Sequence, residues 1–135
     1  MVVIHNRITI VTIRKPSRKN INEELQWLGS SLGLFNLRDK DKSCFRIFIE
    51  LVKSAKTKKP LTSDDIAANL SLSRGTVIHH IRKLIDAGIV VHNKNQYLLR
   101  VDSVQELIKE VEKDLQRSMD SLKDIASDID GWLGL

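Results

Sequence analysis

The apolar positions change period along the chain, and each change marks a new element. Residues 2–13, VVIHNRITIVTI, place Ile4, Ile8 and Ile10 on one parity and Val3, Val11 and Ile13 on the other. This β-branched segment predicts a strand, or a hairpin turning at Asn6-Arg7, that needs a surface to pair with. Arg14-Lys15-Pro16-Ser17-Arg18-Lys19 follows as a basic linker, which Pro16 keeps out of a helix. From Asn20 the period becomes helical: Ile21, Leu25, Leu28, Leu32 and Phe35 form one stripe, and Asn20 with Glu23 has capping-box spacing. Gly29 and Gly33 weaken this helix, and Gly33 is its candidate end. The next helix, from Asp39 or Asp41 to Ala55, is apolar on two flanks. Phe45, Phe48, Ile49 and Val52 lie on one, and Cys44, Ile47 and Leu51 on the other, so burial from two sides is expected. Lys56 to Pro60 reads as a loop.

Residues 62–100 carry the densest signal. Thr62 is placed to cap a short helix with an acidic first turn, Ser63-Asp64-Asp65, and Ile66, Ala67 and Leu70 as its apolar positions. Ser71-Leu72 makes a turn, and Ser73 caps a second helix, Arg74 to Ala87, whose Val77, Ile81, Leu84 and Ile85 point inward. A short helix, a tight turn and a longer helix, with small Ala67 where the two would cross, is the helix-turn-helix arrangement. Gly88 stands as a left-handed C-terminal cap. Residues 89–92 and 96–100 then read as strands around an Asn93-Lys94-Asn95 tip, in which asparagine tolerates positive φ. A hairpin directly after a recognition helix is a wing.

The last segment returns to helical period. Ser103 with Glu106 has capping-box spacing, and Val104, Ile108, Val111, Leu115, Ser118, Leu122, Ile125, Ile129 and Trp132 alternate by four and three. Leu107, Met119, Ala126 and Leu133 widen the stripe. One helix with so wide a stripe needs a partner, and the reading is coiled-coil-like dimerisation. The assigned positions are Ile108, Val111, Leu115, Leu122, Ile125, Ile129 and Trp132.

Charge sharpens this division. Residues 1–102 hold 18 Lys/Arg against 9 Asp/Glu, whereas residues 103–135 hold 4 against 8. A basic body with an acidic terminal helix points to a polyanion for the body, with the terminal helix on the side away from it. Cys44 is the sole cysteine of the 135 residues, so an internal disulfide is excluded and a buried small hydrophobe is the expected role. No secretory signal and no apolar run of membrane-spanning length is visible, so a cytoplasmic protein is expected.

The segment LTSDDIAANLSLSRGTVIHHIRKLIDAGIV resembles the winged helix-turn-helix of ArsR-like regulators. The resemblance lies in Leu72-Ser73-Arg74, Thr76-Val77, His80, Lys83-Leu84 and Gly88-Ile89-Val90, and it spans about residues 40–100. INEELQWLGSSLGLFNLRDKD before it is similar to archaeal relatives. The resemblance implies a DNA-binding transcription regulator. The Cys-rich metal-sensing box of the arsenic-sensing members is absent, and Ser71 stands where many such turns have glycine.

The fold class is therefore mainly α with a small β wing: a winged helix-turn-helix with an N-terminal strand and helix extension and a long C-terminal dimerisation helix. The expected divisions are 1–20, 21–37, 38–102 and 103–135. The expected function is sequence-specific DNA binding as a homodimer, with recognition helix 74–87 in the major groove and wing 89–100 on the backbone or minor groove. With Val77 and Ile81 inward, Gly75, Thr76, His79, Arg82, Lys83 and Asp86 face out. Thr76 and His79 are the base-edge candidates, with Gly75 allowing close approach. Arg74 can reach a base or a phosphate, Ser73, Arg82 and Lys83 suit phosphates, and Lys94 suits backbone or minor groove. The alternative is a winged-helix protein–protein adaptor, which would want an apolar outer face; a ligand-gated repressor is a further variant, with no residue set naming an effector. His79-His80 diverge by about 100° on a helix and make a poor ligand pair, and His92 reads as structural. Asp64-Asp65 fit a helix N-terminus better than acid–base work. No nucleophile constellation, phosphate loop or metal-ligand spacing appears, so no enzyme, cofactor or metal is expected.

Overall fold

The computed structural model describes residues 7–17, 20–35 and 42–135. Five helices and three short strands occur among these residues: α1 (Ile21–Ser31), α2 (Ser43–Thr57), β1 (Leu61–Thr62), α3 (Ser63–Leu70), α4 (Arg74–Asp86), β2 (Val90–Asn93), β3 (Gln96–Leu99) and α5 (Val104–Leu133). The sheet is antiparallel in the order β1-β3-β2. Leu61 faces Tyr97, and Val90 faces Leu99.

The core forms around α2. Ile47, Phe48 and Leu51 are wholly buried, and α2 contacts α3, α4, β3 and α1. Ile66 of α3, Val77, Ile81 and Leu84 of α4, Ile89, and Leu107 of α5 close the same cluster. Cys44 is buried in it. Two flanks of α2 are thus covered by different elements, as its doubled apolar pattern requires. The helix extends past Ala55 to Thr57, and the expected loop shrinks accordingly.

Several helix ends are built from local chemistry. Asn20 caps α1, its Oδ1 accepting from the Asn22 N–H at 2.8 Å. Thr62 and Asp65 form a reciprocal capping box on α3, and Ser103 caps α5 through the Glu106 N–H. The Arg46 guanidinium donates to the Leu70 carbonyl, satisfying the far end of α3. A Cβ on Gly29 would sit 2.1 Å from the Phe35 ring. Gly29 therefore exchanges helix propensity for an aromatic seat, and Phe35 packs edge-on against Phe45 and Phe48.

Three expectations are corrected. The N-terminal strand lies partly outside the described residues, and residues 7–17 form no strand. Their backbone bonds run to helix ends instead: the Arg7 N–H donates to the Asp86 carbonyl at 2.7 Å and the Val11 N–H to the Ser31 carbonyl at 2.8 Å. The Trp27 Nε1–H reaches the Ile13 carbonyl. This segment is an extended arm across α1, and Ile10, Val11 and Ile13 stay substantially exposed. The sheet also gains β1, which two residues with no periodicity of their own could not announce. Finally, the left-handed residue of the wing turn is Lys94, with φ of 57°, rather than an asparagine.

Candidate nucleic-acid interface

The outward face of α4 follows from its buried one. Val77 and Leu84 are 0% exposed and Ile81 1%, which rotates Gly75, His79, Arg82, Lys83 and Asp86 into solvent. Ser73 and Arg74 are exposed at the helix start, and Lys94 at the wing tip. Arg74 lies 3.8 Å from Asp64, a solvent-exposed pair too weak to hold it from a stronger anion. Thr76 is half-buried. Its hydroxyl lies 2.8 Å from the Ser73 hydroxyl, and its N–H donates to the same Ser73 oxygen. Thr76 thus serves the cap as well as the face.

Gly75 is informative by what surrounds it. A Cβ there would meet nothing within 4 Å, so the fold itself does not require glycine at a helical position. Ser71 has φ of 55°, the left-handed conformation that a glycine would adopt without strain.

The wing is fixed to the helix-turn-helix at its tip. The Ser63 hydroxyl donates to Asn95 Oδ1 at 2.8 Å, tying the turn to the start of α3. Between α4 and the wing runs a cleft of about 330 Å³, with Arg82, His92 and Lys94 on its polar side and Ile78, Ile85 and Tyr97 beneath. His92 is exposed on β2, with its ring 6.2 Å from that of Tyr97. It joins the polar lining, which Asp86 shares, because the strand leading to Lys94 places it there, a relation visible only once the hairpin register is known. The rings of His79 and His80 lie 5.2 Å apart, edge to face, closer than the divergence of their positions on the helix implies.

Arg100, directly after β3, was not singled out from sequence, yet it joins the interface to the rest of the molecule. Gly88, with φ of 77°, turns the chain out of α4 into the wing, and Arg100 Nη1 donates to its carbonyl at 3.3 Å. The same guanidinium grips Asp114 of α5 with both nitrogens, at 2.5 and 3.2 Å, and approaches Glu110. Arg117 also bonds Asp114. Asp114 is only 6% exposed. The hydrogen bonds from Arg100, then those from Arg117, hold its carboxyl below the usual carboxylate range against the opposing effect of burial. The end of α4, the wing and α5 therefore share one charged joint.

Residues 50–91 match the family model of the bacterial regulatory protein, arsR family. The matched stretch holds the second half of α2, β1, the two helices α3 and α4, and the entry to the wing. Over this stretch the helix-turn-helix is similar to that of the ArsR family. A winged helix-turn-helix of this type belongs to DNA-binding transcription regulators, which fits the exposed basic face of α4. The match stops before Lys94 and includes neither α1 nor α5. No curated protein matches the chain. Among the described residues no helix is long and apolar enough to cross a membrane.

The dimer positions divide. Val111 is 3% exposed within its own chain and has no surface left to offer a partner, and Leu115 is half-buried. Ile108, Leu122, Ile125, Ile129 and Trp132 are 36, 63, 57, 49 and 89% exposed. The first half of α5 packs on the domain through Leu107, Val111 and Asp114, and from Gln116 onward every residue is exposed.

Proposed function

We propose that the chain is a homodimeric, sequence-specific transcription regulator that lays α4 in the major groove and the wing on the backbone or minor groove. The observation that carries this reading is the exposed set Arg74, Gly75, His79, Arg82 and Lys83 on α4, seated over a fully buried Val77-Ile81-Leu84 face and continued by Lys94. Thr76 and His79 approach base edges, and Gly75 allows the helix to come close to the backbone. Ser73, Arg74, Arg82 and Lys83 engage phosphates. A basic, polar outer face of this kind disfavours the adaptor reading, which needs an apolar one. The homodimer is supported by the apolar residues of α5 that the chain leaves uncovered beyond Leu115.

The test is the salt dependence of binding to genomic fragments. Arg82→Ala with Lys83→Ala weakens binding to all duplexes and lowers the slope of log affinity against log salt by roughly two, about 0.9 for each phosphate contact. An unchanged slope refutes the phosphate assignments.

A further inference from the structure

We infer that the N-terminal arm, residues 7–17, is a second DNA-binding surface, whose Arg7, Arg14 and Lys15 take phosphates of the duplex flanking the site that α4 reads. The inference rests on the DNA-binding reading of α4 and adds to it a contact outside the helix-turn-helix.

Charge singles out the arm. The first 22 residues hold Arg7, Arg14, Lys15, Arg18 and Lys19, and the first carboxylate of the chain is Glu23. A run of one sign is the footprint of a polyanion partner. In α5, Lys109, Lys113 and Arg117 each pair with a carboxylate three residues away. Among the described residues no carboxylate pairs with Arg7, Arg14 or Lys15, and Glu24 lines the same groove as Lys15 without forming an ion pair.

The anchoring of the arm leaves these cations available. It is held by backbone groups: the Arg7 N–H on the Asp86 carbonyl, the Val11 N–H on the Ser31 carbonyl, and the Ile13 carbonyl under the Trp27 indole. The side chains of Arg7, Arg14 and Lys15 are all exposed. A segment already fixed by its backbone loses less freedom when its side chains meet a ligand.

The arm also begins where the basic face of α4 ends. Asp86 is the last residue of α4 and its sole carboxylate, and it opposes phosphates beside Arg82 and Lys83. The 2.7 Å bond from the Arg7 N–H to Asp86 brings a cation to that point, inside the screening length of about 8 Å. Thr9 and Val11 share a groove of about 870 Å³ with Lys83, in which Glu23 is the acidic lining residue. From Arg7 to Arg14 extended chain spans up to about 23 Å, at 3.3 Å per residue. Duplex DNA rises about 3.4 Å per base pair, so an arm lying along it covers up to about seven base pairs.

The β-branched side chains between the cations point to a rival partner. Ile10, Val11 and Ile13 are 56, 42 and 39% exposed, and a protein edge could cover them. Such a partner leaves the salt dependence of DNA binding untouched, so that dependence decides.

The test uses the full chain with Arg7→Ala, Arg14→Ala and Lys15→Ala, titrated with genomic fragments. Each lost phosphate contact removes about 0.9 from the slope of log affinity against log salt, so the slope falls by roughly 2.7. Raising salt from about 50 to 200 mM then weakens the parent roughly fortyfold more than the variant. Arg7→Lys with Arg14→Lys keeps the parent slope, because charge and not guanidinium shape is what releases counterions. The nuclease footprint of the Ala variant shortens by up to about seven base pairs. Its thermal midpoint stays at the parent value, since only exposed side chains change. An unchanged slope and footprint, while Arg82→Ala with Lys83→Ala still lowers the slope, overturns the arm contact and leaves the reading of α4 standing. A parent chain that binds no duplex overturns both.

Discussion

Within α4, Val77, Ile81 and Leu84 are at most 1% exposed, whereas in the outer half of α5 Leu122, Ile125 and Ile129 are 63, 57 and 49% exposed. Both stripes follow the helical period. The first lies against α2 and α3, so it is closed by its own chain. The second runs off the edge of the domain along a helix that continues about 27 Å past Leu115, at 1.5 Å per residue. The difference teaches that an apolar period states that a face will be covered and says nothing about which molecule covers it. A long helix with no neighbour draws little stability from its own hydrogen bonds, so the outer half of α5 is a surface awaiting contact.

The sharpest way to break this comparison is to remove volume from each stripe. Ile81→Ala, in the buried stripe of α4, costs about 4 kcal/mol and lowers the midpoint of thermal unfolding. Ile129→Ala leaves the unfolding of dilute, monomeric protein unchanged, because Ile129 lies half-exposed outside the core cluster. Equal destabilisation by the two would mean that the outer half of α5 folds back on its own domain.

Charge in the outer stripe has the next largest effect. Leu122→Asp with Ile125→Asp yields monomers by light scattering and lowers affinity for a two-half-site duplex roughly a hundredfold, while single half-site binding is kept. Comparable loss on both duplexes would place the lesion in the domain rather than in pairing.

The joint between the two regions comes third. Asp114→Asn removes the charge that Arg100 grips and costs about 2 kcal/mol, discounted because Arg100 is partly exposed. Since the folded carboxyl titrates below its unfolded value, its contribution is complete above the ordinary carboxylate range. It is lost as pH falls from about 4 through the lowered folded value. Acid titration of stability should be shallower in the variant than in the parent; identical slopes would show that the ion pair contributes no pH-dependent stability. The smallest effect is at Gly75. Gly75→Ala stabilises the fold by about 0.5–1 kcal/mol in chemical denaturation, having open space for its methyl group, and at the same time weakens DNA binding. A stabilised variant with undiminished affinity would dismiss close approach at that position.

Much of the candidate interface was legible beforehand because its parts are local. The Thr62 and Ser73 caps, the Val77-Ile81-Leu84 face and the Gly88 exit all follow from side chains within a turn of one another. The same holds for the exposure of His79, Arg82 and Lys83, which is the complement of the buried face. The missing parts are contacts between distant segments. β1 exists only because β3 offers it a ladder. Arg100 acquires its role from Asp114, fourteen residues on, and Arg46 from the end of α3. The arm looked like a strand because β-branched residues favour extended backbone. Extended backbone becomes a strand only when another edge receives its hydrogen bonds, and here helix ends receive them.

The order of amino acids by itself determined the helices, their caps, the turn between α3 and α4, and which face of α4 would stay polar. These are set by periodicity and by hydrogen bonds spanning three or four residues. Only the tertiary structure decided that Val111 belongs to its own domain while Leu122 does not, that His92 joins the cleft, and that Gly88, the wing and α5 meet at one buried carboxylate. Burial and ion pairing depend on which distant surfaces come together, and that depends on how the elements pack.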